Sequence, residues 1–317
     1  MKSFIFISAL LALSPQDEPV PPASRQVGEH SGTIARLAAS PDGSVLVTAA
    51  LGEVHAWDVK KERLLWKAKI ADATIGALGV GKKLVAYHYG IAKIGFLHLE
   101  DGKHRTGVGG PKASQRAQGL AIDPRDRWVW FGNQKGGVTR VVPGSVNSWS
   151  YRNMANAGVT CVAMDGKGKT LAIGGRDATV RFVGAKSANR DDEKVFEGHP
   201  EAVSAIVMDS KGTLVVSGSE AGDIRVWKFS NGKQQHLLQE QGSVIMQLAV
   251  DPKGKYLASG DEDGVIQVWD LKRGAPRVTL PAPDEGAVSG LAFVGKGKTL
   301  AATWSSSKVT LWDLSHL

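Results

Sequence analysis

Histidine, cysteine and carboxylate residues supply metal ligands, nucleophiles and general acids or bases, so they are considered first. The chain has eight histidines and one cysteine, Cys161. Only His88, His98 and His104 lie close together in the sequence, and their spacing matches no metal-binding motif. A single cysteine excludes an intramolecular disulfide and a cysteine-based zinc or redox centre. The GxSxG, HExxH, phosphate-loop and dinucleotide motifs are also absent from the sequence. We therefore expect no catalytic residues, no metal site and no cofactor.

A second pattern consists of aspartates that recur at the ends of predicted strands. Asp123, Asp165, Asp209 and Asp251 begin the turn strings DPRD, DGKG, DSKG and DPKG. Carboxylates at one repeated position could form a ring of calcium ligands, because calcium prefers oxygen donors. An aspartate that precedes a turn also commonly accepts hydrogen bonds from the turn backbone. We favour the turn interpretation over the calcium interpretation.

These residues recur because the chain is built from a repeat of about 42 residues. Six segments, and a weaker seventh between Ile75 and Leu99, contain an apolar strand, a turn, a second strand ending in small residues, a tight turn and a β-branched strand. The third strands end near Trp57, Leu97, Val141, Val183, Trp227, Trp269 and Trp312, which are 40 to 44 residues apart. This pattern predicts an all-β fold made of antiparallel meanders.

Length and composition agree with a globular chain. The 317 residues are 42% hydrophobic and 7% aromatic and include 38 glycines, which excludes collagen, coiled-coil and disordered classes. Length alone suggests about two domains of roughly 150 residues, whereas the continuous repeat predicts one. Lys and Arg number 39 against 31 Asp and Glu, and the resulting charge of +8 is too small to identify a class of partner.

Several motifs resemble those of the WD40-repeat family. They are the dipeptides Trp57-Asp58, Trp269-Asp270 and Trp312-Asp313, the variant Trp227-Lys228, the pair Gly198-His199, and the strings SGSEAGDIRVW and SGDEDGVIQVW. The resemblance covers residues 24–317 and implies a seven-bladed β-propeller of four-stranded antiparallel blades. It also implies that an N-terminal outer strand, from about Ser24 to Glu29, completes the last blade and closes the ring. Blade two is the least regular copy.

The blades of this family are stabilised by hydrogen bonds among a His, a Ser or Thr, an Asp and a Trp. The resemblance assigns structural roles to His199, Ser217, Trp227, Ser259, Asp263, Trp269, Trp57 and Trp312. Ala221 occupies the expected aspartate position of the fifth copy, Glu240 replaces the histidine of the sixth, and Val183 replaces the tryptophan of the fourth. Because no copy matches at all four positions, we expect blades two, three and four to depend mainly on apolar packing.

Residues 1–23 differ from the repeats. Lys2 is followed by an apolar run from Phe4 to Leu13 and then by a proline-rich stretch. This order is typical of a secretory signal peptide and a linker, and the apolar run is shorter than the ~18 residues of a membrane-spanning helix. A buried N-terminal strand or helix is the alternative. We expect no membrane span and an exported protein, periplasmic or secreted, which would make the chain a single-domain member of bacterial type.

The first strand of each propeller blade lines a central channel, where enzymes of this shape gather metal ligands or catalytic groups. The predicted inner strands are IARLAA, IGALGV, GLAI, VTCVAM, VSAIVM, VIMQLAV and VSGLAF. Arg36 is their only charged residue, and none of them contains His, Asp or Glu. The inner strands therefore predict a protein that is not an enzyme.

The turns between the first and second strands emerge on one face of a propeller, and this face is predicted to be basic. Its candidate docking residues are Lys82, Lys83, Lys167, Lys169, Lys253, Lys255, Lys296 and Lys298. The opposite face is predicted to be acidic, with Glu29, Asp72, Asp177, Glu201, Glu220, Asp223, Glu240, Asp261, Glu262, Asp263, Asp284 and Glu285. The lysines either bind an anionic surface or are ordinary turn residues. No aromatic residues interleave them to stack on single-stranded nucleic acid.

The sequence favours a monomeric, non-enzymatic interaction scaffold that presents loops on its disc faces to a protein or peptide partner. Candidate partner-binding residues are Trp304, Glu220, Asp261, Glu262 and Arg176. Trp304 is predicted in the turn between the second and third strands of the last blade, where it either anchors a partner or packs onto a neighbouring blade. A lactonase-like secreted hydrolase with a loop-borne site, and a polyanion or cell-envelope binder using the lysine-rich turns, stay as alternatives. The sequence does not identify the partner.

Overall fold

The structure is a computed structural model that describes residues 23–70, 73–90, 93–105, 117–145, 148–150, 157–186, 193–239, 242–282 and 285–317. Blade one contains β2 (Arg36–Ala39), β3 (Val45–Ala50), β4 (Glu53–Asp58) and β5 (Arg63–Lys69). Blade two contains β6 (Ile75–Val80), β7 (Leu84–Tyr89), β8 (Lys93–His98) and β9 (His104–Arg105). Blade three contains β10 (Ala117–Ile122), β11 (Val129–Asn133), β12 (Val138–Val141) and β13 (Ser148–Ser150).

Blade four contains β14 (Val159–Met164), β15 (Thr170–Gly175), β16 (Val180–Gly184) and β17 (Lys194–Phe196). Blade five contains β18 (Val203–Met208), β19 (Leu214–Ser219), β20 (Asp223–Lys228) and β21 (Gln234–Gln239). Blade six contains β22 (Ile245–Val250), β23 (Tyr256–Asp261), β24 (Ile266–Asp270) and β25 (Ala275–Leu280). Blade seven contains β1 (Ser24–Glu29), β26 (Val288–Val294), β27 (Thr299–Trp304) and β28 (Lys308–Asp313), with a 3₁₀ turn at Gly295–Gly297.

Each blade is a four-stranded antiparallel sheet, and the seven inner strands contact one another in sequence around the channel. The inner strand β2 contacts both β6 and β26, so the first and last blades meet. The predicted all-β, seven-bladed propeller is confirmed, and blade two has its four strands despite its weak repeat.

The N-terminal strand β1 closes the ring. It pairs antiparallel with β28, from Ser24 opposite Trp312 to Glu29 opposite Lys308. The last blade therefore takes its outer strand from the other end of the chain, as the resemblance implied. This pairing covers an edge of β28 that would otherwise present unpaired backbone groups to other chains.

The core is a series of apolar clusters between consecutive blades. One cluster joins Val54 of blade one to Val85 of blade two, and another joins Trp57 of blade one to Leu311 of blade seven. Because a blade packs on neighbours through both of its sheet faces, its second strand is buried on both sides. This explains why these strands read VLVTAA, TLAIGG and TLAATW, with small and β-branched residues in place of a polar and apolar alternation.

The predicted signal peptide and linker, residues 1–23, lie outside the described residues except for Ala23. Across the described part of the chain, no helix has the length and apolar character needed to cross a membrane.

Candidate functional site

The inner strands surround a channel whose mouth forms a cavity of about 430 Å³. Its lining includes one residue near the start of the inner strand from each of blades two to seven: Gly76, Gly119, Thr160, Ser204, Met246 and Ser289. At each of these residues the register between the first and second strands shifts, which marks a β-bulge. The bulges place mainly small residues at the mouth, so the cavity stays open.

Arg36 is the charged side chain that the inner strands contribute to this cavity. Its Nε donates a hydrogen bond to the carbonyl oxygen of Gly76 in the next blade at 2.8 Å, and its Nη1 donates to that of Ala35 at 2.6 Å. Burial lowers the pKa of the guanidinium, but an arginine keeps its charge in proteins. Within the described residues, no carboxylate forms an ion pair with Arg36, so a fixed positive charge borders the cavity.

Two of the predicted partner-binding residues, Arg176 and Glu220, line the same cavity. Both are exposed and directly follow second strands, β15 and β19. The cavity therefore opens on the face that carries the turns between second and third strands, which we call the channel face. Glu262 is exposed in a turn of this face but does not line the cavity.

Asp261 has a role different from the predicted one. It is buried, and its Oδ1 accepts a hydrogen bond from the backbone N–H of Val265 at 2.8 Å. Burial, assisted by the nearby charge of Asp263, raises the pKa of its carboxyl group. The side chain shapes its own turn and does not offer a surface to a partner.

Trp304 is not the exposed anchor that the sequence suggested, and that prediction is wrong. The second strand β27 continues through residue 304, and the side chain is fully buried. Its indole Nε1 donates to the carbonyl oxygen of Gly264 in blade six at 2.9 Å, and its ring packs edge-on against Trp312 with centroids 5.5 Å apart. Trp304 packs between blades, which was the alternative interpretation.

Blade five contains a complete hydrogen-bond clamp. Trp227 Nε1 donates to Ser217 Oγ at 2.8 Å, and Ser217 Oγ lies 2.7 Å from His199 Nε2. His199 Nδ1 lies 2.9 Å from Asp223 Oδ2. The expectation that this copy lacks an aspartate is wrong, because Asp223 at the start of β20 supplies the carboxylate while Ala221 is an exposed turn residue.

The charges of this clamp follow from burial and hydrogen bonding. Burial lowers the pKa of His199 more than Asp223 raises it, so the ring is neutral near pH 7. For Asp223, burial acts to raise the pKa, but hydrogen bonds from Ser219, His199 and Arg225 hold it below its usual value. A neutral imidazole thus joins an ionised carboxylate to the serine and tryptophan.

Blade six has a less complete version, and among the described residues Trp312 Nε1 of blade seven has no hydrogen-bond partner. In blade six Trp269 Nε1 donates to Ser259 Oγ at 2.8 Å. Asp263, which the resemblance placed in this network, is instead exposed in the turn before β24. Glu240 lies outside the described residues, as do Asp72 and Asp284 of the predicted acidic face. In blade seven, Trp312 is fully buried beside Trp304.

Blade one holds a second complete clamp, of which the sequence indicated Trp57 but not Thr48 or Glu53. Trp57 Nε1 donates to Thr48 Oγ1 at 2.8 Å, His30 Nε2 lies 2.6 Å from that oxygen, and His30 Nδ1 lies 3.2 Å from Glu53 Oε1. His55 Nε2 lies 3.3 Å from the other Glu53 oxygen. Glu53 and His55 are two residues apart on β4 and so share one face of the strand. That spacing is the signal that could have indicated the cluster.

His30, Glu53 and His55 also offer three donor atoms within 4.8 Å of one another, a donor set found in some zinc sites. The two imidazole rings, however, are stacked with centroids 3.7 Å and planes 11° apart. A metal ion binds a ring nitrogen in the plane of its ring, and stacked parallel rings do not direct their lone pairs to one point. Both nitrogens of His30 also already have partners in Thr48 and Glu53. This arrangement fits a hydrogen-bonded clamp and does not fit a metal site.

The turns between first and second strands form the opposite face, which we call the basic face. Neighbouring turns contact one another directly: Arg127 Nη2 donates to the carbonyl oxygen of Gly168 at 3.3 Å, and Ser210 Oγ donates to that of Pro252 at 2.9 Å. The eight lysines assigned to docking are all exposed on this face: Lys82, Lys83, Lys167, Lys169, Lys253, Lys255, Lys296 and Lys298.

The recurring aspartates of these turns are buried and accept hydrogen bonds from backbone N–H groups of the turns. Asp165 Oδ1 accepts hydrogen bonds from the N–H groups of Lys169 and Thr170 at 2.6 and 2.7 Å. Asp251 Oδ1 accepts them from Lys255 and Tyr256 at 2.5 and 2.7 Å. Their positions follow from turn chemistry, as we favoured from the sequence.

Comparisons with known proteins agree with this architecture. The family model described as WD domain, G-beta repeat matches residues 146–183, 191–228 and 232–270. Each match begins near an outer strand and continues through three strands of the next blade. The chain also superposes on the structure of U3-55K with a TM-score of 0.80 at 18% identity, covering 93% of this chain and 100% of that chain. The crystal structure of the RRP9 WD40 repeats gives a TM-score of 0.80 at 17% identity, covering 93% and 99%.

Sequence similarity to curated proteins is limited to part of the chain. Angio-associated migratory cell protein from Homo sapiens is 29% identical over 136 residues, which are 40% of this chain and 31% of that protein. The protein of the same name from Canis lupus familiaris is 30% identical over 112 residues, covering 32% and 25%. The chain thus spans less than a third of these relatives. Residues 146–183, 191–228 and 232–270 thus match the WD40 repeat model, and the described strands among them belong to the seven-bladed propeller.

Proposed function

We propose that the chain is a non-enzymatic interaction scaffold that binds a peptide segment of a partner protein at the channel mouth. The observation that carries the proposal is the guanidinium of Arg36, which borders an open cavity without a carboxylate partner among the described residues. A partly buried cation of this kind gains most from an anionic group on a ligand. WD40 repeats and the similarity to other WD40 propellers support a protein partner.

The channel face also offers apolar contacts. Leu51, Met246 and Val265 are 66%, 36% and 41% exposed, and all three lie on this face. Met246 lines the cavity itself. Exposed apolar side chains beside a cavity are typical of sites that bind other proteins.

The charges around the mouth define the peptide further. Arg36 and Arg176 favour an acidic anchor residue that enters the cavity. The exposed carboxylates of the channel face favour basic residues on either side of that anchor. They are Glu29, Glu197, Glu201, Glu220, Glu262, Asp263 and Glu285.

The hydrolase alternative has less support. Among the described residues, the charged groups that line the cavity are Arg36, Arg176 and Glu220, which do not form a metal-ligand set. A hydrolytic site would need ligands from elsewhere.

A peptide-display experiment tests the proposal. A random peptide library is selected on the immobilised full chain, and enriched peptides are measured by calorimetry against wild type, Arg36→Gln, Met246→Ala and Lys211→Gln on the basic face. We expect peptides with an acidic residue, a loss of affinity of about tenfold or more for Arg36→Gln, a smaller loss for Met246→Ala, and none for Lys211→Gln. Thermal melts check that the variants fold. Peptides that bind Arg36→Gln and Met246→Ala as tightly as wild type would contradict the proposal.

We also propose that residues 1–23 direct export. The support is the order of Lys2, an apolar run and a proline-rich stretch. Intact-mass measurement of the protein recovered from cell fractions tests this: an exported form shortened at its N-terminus is expected, and a full-length form retained inside the cell would contradict it.

A further inference from the structure

The basic face carries cations at equivalent turn tips around the disc. The third position of the turn between first and second strands is occupied by Arg125, Lys167, Lys211, Lys253 and Lys296 in blades three to seven, and blade two has Lys82 in a shorter turn. All of these side chains are exposed. Blade one differs, with Asp42 at this position. One structural position thus repeats a positive charge from blade to blade.

The turn aspartates do not neutralise these tips. Asp165, Asp209 and Asp251 are 3%, 4% and 4% exposed, and each accepts backbone hydrogen bonds from its own turn. Within the described residues, none of the tip lysines of blades four to seven forms an ion pair. These blades therefore carry a basic arc, which consists of Lys167, Lys169, Lys211, Lys253, Lys255, Lys296 and Lys298.

The turns between third and fourth strands lie on the same face and carry both basic and acidic residues. They add the bases Lys60, Lys61, Lys103, Lys186, Lys228, Lys233, Lys272 and Arg273, and the acids Asp58, Glu62, Glu100, Asp101, Asp270 and Asp313. Several of these acids already have cationic partners: Glu62 pairs with Arg25, Asp101 with Lys103 and Asp270 with Arg273. Among the described residues, bases outnumber acids on this face.

We propose that this basic face docks the propeller flat on an anionic lipid bilayer. The tips occupy equivalent positions on a ring of turns that contact one another, so they reach a planar surface together. Lysine carries a compact charge on a flexible side chain, which suits it to lipid headgroups. Each lysine near an anionic leaflet contributes about 1 kcal/mol to the free energy of membrane binding.

A bilayer fits these turns better than a nucleic acid does. Single-stranded nucleic acid is bound by a basic groove with aromatic stacking platforms. In the described part of the arc, the aromatic neighbour is Tyr256, which is 8% exposed and lies under the Nζ of Lys255 at 4.4 Å. The arc is a row of convex turn tips and offers no exposed ring to a base.

Docking in this orientation leaves the channel face exposed to the solvent. Strands run between the two faces, so the turns of the basic face and the mouth bordered by Arg36 lie at opposite ends of the blades. A propeller bound to lipid through its lysines can therefore still bind a partner at the channel.

Vesicle co-sedimentation tests the proposal. The full chain is incubated with phosphatidylcholine vesicles, with or without one quarter phosphatidylglycerol, at low and physiological ionic strength. We expect binding to the anionic vesicles that weakens as salt rises. The variant with Lys167→Gln, Lys211→Gln and Lys253→Gln should bind on the order of 100-fold more weakly.

The matched control removes the same charge elsewhere, with Lys67→Gln, Lys93→Gln and Lys135→Gln. These lysines are exposed but lie on β5, β8 and the turn after β11, away from the basic face. All variants keep residues 1–23, so the N-terminal apolar run contributes equally. The control should bind as wild type does. Equal losses in both variants, equal binding to neutral vesicles, or tighter binding to DNA than to anionic vesicles at equal phosphate concentration would each overturn the proposal.

Discussion

In both complete clamps, the donor and the acceptor of each hydrogen bond can be assigned. In blade five the Trp227 N–H donates to Ser217, so the serine hydroxyl is left to donate to His199 Nε2, and His199 Nδ1–H donates to Asp223. Blade one repeats this order with Thr48 as the hydroxyl residue and Glu53 as the carboxylate. Both series of hydrogen bonds require a neutral histidine, and burial keeps each ring neutral by lowering its pKa.

Trp304 provides the first prediction at this scale. Trp304→Ala should lower the free energy of unfolding by about 3–5 kcal/mol, because it empties a fully buried site between blades six and seven and leaves the carbonyl of Gly264 without its donor. Urea denaturation followed by tryptophan fluorescence or circular dichroism measures the change. Leu51→Ala, at a side chain that is 66% exposed, is the control and should shift stability by less than about 0.5 kcal/mol. An equally small effect at Trp304 would contradict the burial.

Protonation provides the second prediction. Burial, followed by the charge of His55, lowers the pKa of His30 from 6.5 to about 4, and burial also lowers the pKa values of His55 and His199. Below pH 6.5 the unfolded chain therefore binds more protons than the folded chain. The free energy of unfolding should fall as the pH decreases from 6.5 towards 4, with His30 contributing at most about 3 kcal/mol.

The prediction is checked by the slope of the free energy of unfolding plotted against pH. Urea denaturation between about pH 7 and about pH 5 should show a shallower slope for His55→Gln than for wild type, because one group that takes up a proton on unfolding is removed. His316→Gln, at an exposed residue, is the control and should keep the wild-type slope. A wild-type slope in His55→Gln would show that His55 is not held neutral by the fold.

At the scale of elements, the β1 strand packs closely on blade one at Gly28. A Cβ at Gly28 would lie 2.3 Å from the Cη2 atom of Trp57, and Trp57 is itself held by Thr48. The register of β1 against β28 shifts between Gln26 and Gly28. The outer strand of blade seven thus packs against Trp57, a member of the clamp of blade one.

Gly28→Ala should therefore destabilise the protein by about 1–3 kcal/mol, because the added methyl group forces Trp57 or β1 to move. Gly32→Ala is the matched control, since a Cβ at residue 32 would meet nothing within 4 Å. Thermal unfolding followed by circular dichroism compares the two variants. Equal midpoints would show that β1 does not pack on Trp57 in this way.

The elements were more predictable than the contacts between them. Strand positions followed from the repeat and from runs such as VSAIVM, which became β18. The sequence left the burial of Trp304 as one of two alternatives, because its hydrogen-bond partner is a carbonyl 40 residues earlier on another blade. The clamps were incompletely predicted because Asp223 lies two residues after the expected position, and because Glu53 substitutes for an aspartate in blade one. A repeat pattern fixes which strands pair, whereas side-chain partners depend on small shifts within turns.

At the scale of the molecule, chain topology separates two kinds of surface. Turns after inner strands carry exposed lysines, and turns after second strands carry Arg176, Glu220 and the mouth of the cavity. The sequence predicted this separation of charge because antiparallel strands alternate in direction. It did not predict the cavity, since the bulges that place Thr160, Ser204 and Met246 at the mouth are not marked by one residue type.

Ring closure by β1 gives the last prediction. Deleting residues 1–29 should destabilise the whole disc, because blade seven loses its outer strand, the edge of β28 is uncovered and the contact of Gly28 with Trp57 is lost. The control deletes residues 1–22 only and retains β1. Urea denaturation should show a lower midpoint for the longer deletion, and size-exclusion chromatography should show association through the open edge. A synthetic peptide of residues 23–32 should restore the midpoint, because β1 belongs to the ring through pairing and not through its covalent connection alone. Equal midpoints for the two deletions would mean that blades one and seven stay closed without β1.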